Sequence, residues 1–203
     1  MTDDSQFECT LKLLVLGGSS VGKSNFIHRF ITNEFSEHHI SSSGLELKSS
    51  EITIKNKRIR IQLWDTAGQE KYKSITKSLF VKVQGIIAMF DLTNEDSFNQ
   101  AKFWIKSIRE ECGSRMPLIL LGNKSDLEDS IIVSEKEIKE YTDKEKIPYI
   151  MTSSKTNLNI KKAVSDLCEN ILDYKEDKEE MTSSFSLDSV LIDSEKKKKC
   201  CKN

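Results

Sequence analysis

Residues 11–24 read Leu-Lys-Leu-Leu-Val-Leu-Gly-Gly-Ser-Ser-Val-Gly-Lys-Ser, an apolar run of strand length followed by a glycine-rich turn. The turn fits G-x-x-x-x-G-K-[ST] from Gly17 to Ser24, and a helical period follows it directly. Such a turn presents a nest of backbone N–H groups, to which the helix N-terminus adds partial positive charge. We therefore expect a phosphate cradle, with Lys23 neutralising the β- and γ-phosphate oxygens and the Ser24 hydroxyl on Mg²⁺. A glycine-rich turn beside a solvated lysine is the alternative.

Length and composition fit one domain of this kind with a short tail. The chain has 203 residues, with 31 basic and 32 acidic side chains and a formal net charge of −1. A neutral total gives no whole-molecule attraction to polyanions, so we do not expect a nucleic-acid partner. The five cysteines have neither a disulfide framework nor zinc-ligand spacing, which indicates a reducing compartment. No apolar run approaches the roughly 20 residues of a membrane span.

Short apolar runs alternate with helical segments, which predicts an α/β fold with a six-stranded mixed sheet. The connection Lys55–Arg58 is too short for a helical crossover, so the two strands that flank it should form an antiparallel pair at a sheet edge. The last helix carries a stripe of core residues, from Ile160 to Ile171. The predicted strands are Leu11–Leu16, Leu45–Ile54, Ile59–Trp64, Ile86–Asp91, Leu118–Gly122 and Pro148–Met151. The predicted helices are Gly22–Thr32, Asp96–Glu111, Ser134–Lys144 and Leu158–Tyr174.

An acid, a glycine and a glutamine follow the third predicted strand, in Trp64-Asp-Thr-Ala-Gly-Gln69. Asp65, at the carboxyl end of a strand opposite the phosphate loop, can hold a water on Mg²⁺. Gly68 lets a backbone N–H approach the γ-phosphate without a Cβ clash. Gln69 can orient the attacking water and donate to the transferring phosphoryl group, so it is the candidate catalytic residue. For Asp65 the alternative is a surface turn residue.

The segment Asn123-Lys-Ser-Asp126 follows the fifth predicted strand, at the carboxyl edge where nucleotides bind in such sheets. A carboxylate accepts two parallel hydrogen bonds, which matches the N1–H and N2 amino donors of guanine, and adenine presents no such donor pair. We expect Asp126 to select guanine, Asn123 to brace the loop, and the stem of Lys124 to lie over the base. Taken alone, N-K-x-D is also a common solvated turn.

Four motifs in this order resemble the Ras superfamily of small GTPases over roughly residues 9–174, and within it the Rab branch. The motifs are Gly17–Ser24, Asp65–Gln69, Asn123–Asp126 and Thr152–Lys155. Three segments beside the switches are similar to Rab sequences, namely Arg60–Trp64, Lys71–Thr76 and Met89–Thr93. The resemblance implies a P-loop small G domain with about five helices, GTP and GDP as ligands, Mg²⁺ as cofactor and a low intrinsic rate of GTP hydrolysis.

The resemblance also implies roles for single residues. Phe35 would stack on guanine, Ser42 would close on Mg²⁺, and the Ser154 backbone N–H would donate to guanine O6. Ser42 stands where threonine is usual and Ser154 where alanine is usual. The expected nucleotide-binding residues are Gly17, Ser19, Ser20, Val21, Gly22, Lys23, Ser24, Asn25, Phe35, Ser42, Asp65, Gly68, Asn123, Lys124, Asp126, Ser153, Ser154 and Lys155. The expected metal ligands are Ser24, Ser42 and, through a water, Asp65.

Segments at both ends of the chain lack the periodic pattern of the domain. Residues 1–8 are expected to be a flexible N-terminus, and residues 175–203 a disordered hypervariable tail that is acidic, then serine-rich, then lysine-rich. Within this tail Val190–Ile192 is a short apolar run. It either docks locally or lies in solvent with the rest.

The tail ends in a lysine run, Lys196–Lys199, followed by Cys200 and Cys201. A simple prenylation box fits poorly because Lys202 occupies an aliphatic position, but twin cysteines near the end resemble Rab tails, in which both thiols carry geranylgeranyl groups. Four lysines attract an anionic leaflet by only ~4 kcal/mol in total, so a lipid is needed for stable anchoring. An unmodified lysine run is the alternative.

The resemblance implies the partners of a Rab protein: an exchange factor, a GTPase-activating protein, a prenyl transferase with its escort protein, a dissociation inhibitor, and effectors on the first switch (Ser36–Leu47) and the second (Ala67–Leu79). We expect a monomer that acts in vesicle-mediated transport on the cytoplasmic face of an intracellular membrane, with a cytosolic pool. One alternative is a guanine-nucleotide-binding scaffold with impaired switching or hydrolysis. Another is an adenine-nucleotide phosphotransferase, against which Asn123–Asp126 argues.

Overall fold

The computed structural model describes residues 7–37, 45–66 and 79–176. These residues form a six-stranded sheet in the order β2-β3-β1-β4-β5-β6. The strands are β1 (Cys9–Gly17), β2 (Leu45–Ile54), β3 (Lys57–Thr66), β4 (Gly85–Asp91), β5 (Leu118–Asn123) and β6 (Tyr149–Met151). The helices with more than two described residues are α1 (Lys23–Thr32), α2 (Glu95–Cys112), α3 (Glu135–Glu145) and α4 (residues 160–176), with a 3-10 helix at Glu128–Ser130, and residues 79 and 80 are also helical.

One antiparallel pair interrupts an otherwise parallel sheet. The strand β2 pairs antiparallel with β3, and the other four pairings are parallel, so the prediction of a mixed sheet with one antiparallel edge strand is confirmed. The turn between β2 and β3 is shorter than predicted, because Lys57 and Arg58 already pair with Ile54 and Thr53. Only Lys55 and Asn56 connect the strands, with φ of 48° and 62°. Two central residues with positive φ are typical of a type I′ turn, whose twist matches that of the flanking strands.

The sheet separates two apolar clusters because side chains alternate along each strand. In β1, Leu11, Leu13 and Val15 face α1 and α4, whereas Leu14 and Leu16 face α2 and α3. Burying one such side chain contributes about 1.5–3 kcal/mol. The stripe predicted for the last helix belongs to the first cluster and is buried at Ile160, Val164, Leu167, Cys168 and Ile171.

Two helix starts are fixed by side-chain caps, which accounts for the one-residue shifts of these two starts from the predicted bounds. The side chain of Asn94 accepts from the Ser97 N–H at the start of α2. The Ser134 side chain accepts from the Glu137 N–H at the start of α3, as a capping Ser with Glu three residues later predicts. Within the described residues no helix is long and apolar enough to cross a membrane.

Candidate functional site

The glycine-rich turn connects β1 to α1 at the carboxyl end of the parallel strands. Gly17 has φ of 153° and Gly22 has φ of 96°, in the region that L side chains rarely adopt. A Cβ on Gly17 would lie 2.3 Å from the Met89 carbonyl oxygen, and one on Gly22 would lie 2.4 Å from Nδ2 of Asn123. Neither position accepts a side chain, which explains both glycines of the motif.

The N-terminus of α1 is capped differently from those of α2 and α3. Gly22 supplies no side-chain cap, and the first turn contains no acidic residue. The N–H groups at the start of a helix need acceptors, and the helix dipole favours negative charge there. An anion bound in the glycine-rich turn would meet both needs.

Lys23 is 5% exposed, and its Nζ donates to the carbonyl oxygens of Gly17 at 3.1 Å and Gly18 at 2.7 Å. Burial lowers the pKa of this lysine to about 8, against the opposing attraction of Asp65. The ammonium therefore lies desolvated against the loop backbone. A phosphate beside it would supply the counter-charge that burial demands.

Asp65 is fully buried at the end of β3, and neither of its carboxylate oxygens has a hydrogen-bond partner at normal distance. Burial raises its pKa, while the Ser24 hydroxyl and the Lys23 ammonium act in the opposite direction. A buried carboxylate without full compensation is costly, and a divalent cation would compensate it. Among the described residues no three His, Cys, Asp or Glu side chains cluster for a metal. Mg²⁺ commonly uses few protein ligands plus phosphates and waters, so Ser24 and Asp65 fit it.

Asn123 connects the two ends of the site. Its Nδ2 donates to the Val21 carbonyl oxygen of the phosphate loop at 2.8 Å. Its Oδ1 accepts from the Ser154 N–H at 3.3 Å and lies 3.4 Å from the Thr152 hydroxyl. The side chain is buried, at 2% exposure. One amide therefore fixes the loop after β1, the end of β5 and the loop after β6 relative to one another.

Asp126 is oriented by a buried serine. The Ser153 hydroxyl donates to Oδ1 of Asp126 at 2.6 Å and accepts from the Thr156 N–H at 3.0 Å. Asp126 itself is partly exposed, whereas Ser153 is fully buried. A hydrogen bond to a charged acceptor is stronger than a neutral one, so the carboxylate is held in one orientation before any ligand arrives.

Lys124 and Arg29 hold the surrounding loops through contacts that their motifs do not reveal. Lys124 has φ of 65°, and its ammonium lies 2.7 Å from Oδ2 of Asp91 at the end of β4. Arg29 on α1 donates to the carbonyl oxygens of Ser154 and Lys155, both at 2.8 Å. Its guanidinium also lies 5.8 Å from the ring centroid of Phe35. Sequence analysis missed Arg29 and Asp91, because neither stands in a local pattern that marks such a contact.

Within the described residues, most of the expected site lies together at the carboxyl ends of the parallel strands. Val21 contributes its carbonyl there, while its side chain is buried in the core. Asn25 donates from Nδ2 to the Ser36 carbonyl oxygen at 3.4 Å. Ser19 and Ser20 are exposed in the loop. Predicted site residues that lie outside the described residues are Ser42, Gly68, Gln69, Cys200 and Cys201.

A glycine-rich loop between β1 and α1, with a second polar loop after β5, defines a nucleotide-binding α/β protein of the P-loop class. A sequence model described as the Ras family matches residues 12–173. The chain is 35% identical over 170 residues to the Ras-related protein Rab-3 of Caenorhabditis elegans, covering 84% of this chain and 78% of that protein. It is 36% identical to Rab-3C of Bos taurus (85% and 76% covered) and 37% identical to Rab-13 of Rattus norvegicus (82% and 82%). The chain belongs to the Ras family and is a divergent small GTPase of its Rab branch.

Proposed function

We propose that this protein is a membrane-anchored switch that binds GTP and GDP, hydrolyses GTP slowly and recruits effectors in vesicle-mediated transport. The observation that carries the proposal is the bond from Asn123 to the Val21 carbonyl, because it joins a loop suited to phosphates to a loop suited to guanine. Ras-family GTPases bind guanine nucleotides, typically with Mg²⁺. The family and the local geometry therefore support the same ligand.

The residues of the site have distinct roles in this proposal. Asp126 accepts from guanine, and Lys23 neutralises the phosphates. Ser24 and Asp65 would hold Mg²⁺, with Ser42 joining them in the GTP state; the ion neutralises charge that develops on the phosphate oxygens. Gln69 orients the attacking water. Arg29, on the helix that follows the phosphate loop, already donates to backbone carbonyl oxygens and not to the phosphate loop. We therefore expect a GTPase-activating protein to supply the cation that accelerates hydrolysis.

We also propose that effectors bind at the two switches. In the described part of the first switch, the side chains of Leu45 and Leu47 are 41% and 50% exposed, and Leu47 lies opposite Trp64 in the β2–β3 pair. Apolar side chains exposed together are typical of a protein interaction surface. Leu79 is buried, so it adds no such surface from the end of the second switch.

The anchor in this proposal is the twin cysteine, Cys200 and Cys201, each carrying a prenyl group. The adjoining Lys196–Lys199 run would attract anionic lipid, but the lipid chains supply most of the membrane affinity. Intact mass of the protein from cytosolic and membrane fractions tests this part. We expect two prenyl groups on the membrane-bound form, and an unmodified mass in that fraction would exclude the anchor.

The affinities of GDP, GTP and ATP for the recombinant chain, measured in one titration series with Mg²⁺, test ligand identity. We expect GDP and GTP to bind about 100- to 10,000-fold more tightly than ATP, because only guanine offers Asp126 two donors at about 1.5–3 kcal/mol each. Equal affinity for ATP would contradict guanine selection and favour an adenine-nucleotide phosphotransferase.

Single-turnover hydrolysis of bound GTP tests the switch. We expect Gln69→Leu to abolish most turnover and leave GDP affinity nearly unchanged, while Gln62→Leu, which changes a half-buried glutamine of β3, keeps the wild-type rate. Unchanged turnover in Gln69→Leu would remove that residue from the mechanism. A scaffold without switching would bind guanine nucleotides and show no turnover even in the wild type.

A further inference from the structure

A cleft of about 330 Å³ opens at the end of the sheet opposite the nucleotide site. It lies beside the residues that precede β4 and β5, between the last residue of α2 and the end of α4. Its lining is largely apolar. The largely apolar side chains of that lining are Val83, Cys112, Met116, Pro117, Ile171 and Tyr174, and Gln84 and Lys175 complete it.

The walls of the cleft are fixed by hydrogen bonds. The Arg109 guanidinium donates to the Ser114 carbonyl oxygen at 2.7 Å and to that of Met116 at 3.2 Å, which holds the segment before β5. The side chain of Gln84 accepts from the Lys12 N–H at 2.7 Å on the opposite side. The cleft therefore does not depend on a ligand for its shape.

Among the described residues, the charge that lines the cleft is positive. Lys175 lines it, and no carboxylate of the described residues does. An apolar surface with one cation at its rim suits an apolar segment that is flanked by acids.

The chain itself contains such a segment, a short distance further along the sequence. The last described residue, Glu176, follows Tyr174 and Lys175, which line the cleft, so the tail leaves the domain at the cleft rim. Residues 177–195 contain six acidic side chains and one basic side chain. Their one run of three consecutive apolar residues is Val190–Ile192, with Asp188 and Asp193 on either side of it.

We propose that Val190–Ile192 packs into this cleft, with Asp188 and Asp193 placed near Lys175. The fourteen Cα–Cα steps from Glu176 to Val190 span up to about 45 Å when extended, so the segment is long enough to reach the cleft. Attachment to the same chain gives it an effective concentration on the order of millimolar, so a weak apolar contact is sufficient. The lysine run and the twin cysteine then begin only a few residues beyond the docked segment.

Cys112 reports on occupancy, because it lines the cleft and is partly exposed. Alkylation of the full chain with iodoacetamide, followed residue by residue by mass spectrometry, gives the rate at each thiol. We expect Leu191→Asp to raise the Cys112 rate at least about fivefold. Ser184→Asp, which adds the same charge to the tail outside the apolar run, should leave it unchanged.

Cys9 is the internal reference in the same experiment, since it is partly exposed and does not line the cleft. A change at Cys9 equal to that at Cys112 would signal general unfolding, and selective docking would then be contradicted. An equal Cys112 rate in wild type and Leu191→Asp would also overturn the proposal.

Disulfide trapping tests proximity directly, in the full chain with Cys200→Ser and Cys201→Ser. We expect the new thiol of Leu191→Cys to form an intrachain disulfide with Cys112 at least about tenfold faster than that of Ser184→Cys under oxidised glutathione. Equal rates for the two variants would refute docking of this run. Disulfide-linked dimers whose rate rises with protein concentration would assign the cleft to a second copy and overturn the intrachain contact.

Discussion

The two ends of the nucleotide site differ in how well their charged groups are partnered. At the base end, Ser153 already donates to Asp126. The side-chain amide of Asn123 makes hydrogen bonds through both its nitrogen and its oxygen. At the phosphate end, the carboxylate of Asp65 is fully buried with no hydrogen-bond partner at normal distance, and the Lys23 ammonium is desolvated against backbone carbonyls. The base end is therefore formed before ligand binding, whereas the phosphate end carries an electrostatic cost that an anion with its cation relieves.

The difference predicts that substitutions at the two ends act on different quantities. Changes at the base end should alter affinity for the guanine base, equally for GTP and GDP, because both nucleotides share it. Changes at the phosphate end should alter the stability of the nucleotide-free protein and its pH dependence.

The largest effect is expected for Asp126→Ala, which removes the acceptor for two donors of guanine. Two hydrogen bonds to a charged group contribute about 1.5–3 kcal/mol each, so affinity for GTP and GDP should fall about 100- to 10,000-fold. Isothermal titration with GDP, GTP and ATP measures this. Asp129→Ala, a carboxylate exposed in the 3-10 helix, is the control and should leave the affinities unchanged. A parallel loss for ATP would mean that the loop, not base selection, had failed.

The next effect belongs to the phosphate end, in Lys23→Met without nucleotide. The folded pKa of Lys23 is about 8, below the ordinary value of 10.5, so the unfolded chain binds more protons between these pH values. The free energy of unfolding of the wild type should therefore rise with pH across this window, relative to Lys23→Met, by about 3 kcal/mol at most. Urea unfolding of both proteins from pH 7 to 10.5 measures the difference.

Lys82→Met is the matched control for this pH dependence, because Lys82 is an exposed lysine before β4. It should show no comparable difference from the wild type between pH 8 and 10.5. If the Lys23→Met and wild-type curves stay parallel, the ammonium of Lys23 is not desolvated in solution, and the contrast between the two ends loses its main support.

A smaller effect is expected for Ser153→Ala, which leaves the Asp126 carboxylate without its donor and the Thr156 N–H without its acceptor. Loss of one bond to a charged group should cost about 1.5–3 kcal/mol, and GTP and GDP should both bind roughly 10- to 100-fold more weakly. Ser134→Ala removes the cap of α3 and should cost about 1 kcal/mol of stability with no change in nucleotide affinity. If both variants change only stability, Asp126 needs no orientation by Ser153.

The smallest effect is expected for Ser154→Ala, at the position where small GTPases of this type usually have alanine. The Ser154 hydroxyl lies 3.4 Å from Oδ1 of Asn123, a weak contact, and the backbone N–H that faces the same oxygen stays in place. Nucleotide affinity should change by no more than about twofold. A tenfold change in the same titrations would mean that the hydroxyl itself contacts the base.

The strands, helices and phosphate loop were predictable because their signals are local. Gly17 and Gly22 follow from eight consecutive residues, and the mixed sheet follows from one connection too short for a helix. The predicted turn between β2 and β3 was two residues longer than the observed one at Lys55 and Asn56, because the start of a strand depends on pairing as well as on apolar content.

The rest of the site depends on contacts between residues far apart in sequence. Arg29 reaches the carbonyl of Ser154, 125 residues away, and Lys124 reaches Asp91 on another strand. Neither contact leaves a periodic or spaced pattern, so sequence alone predicts the loops but not what holds them. The roles of Gln69 and Ser42 remain predictions, because both residues lie outside the described part of the chain.

The bond between Asn123 and the Val21 carbonyl has a kinetic consequence. Because a single buried amide connects the loops, the base end and the phosphate end should open in one cooperative fluctuation, with amide protons of both loops exchanging at a common rate. A bound nucleotide would then leave through a single opening event. A protein that displaces either loop would loosen both ends of the nucleotide at once, even if it touched only one.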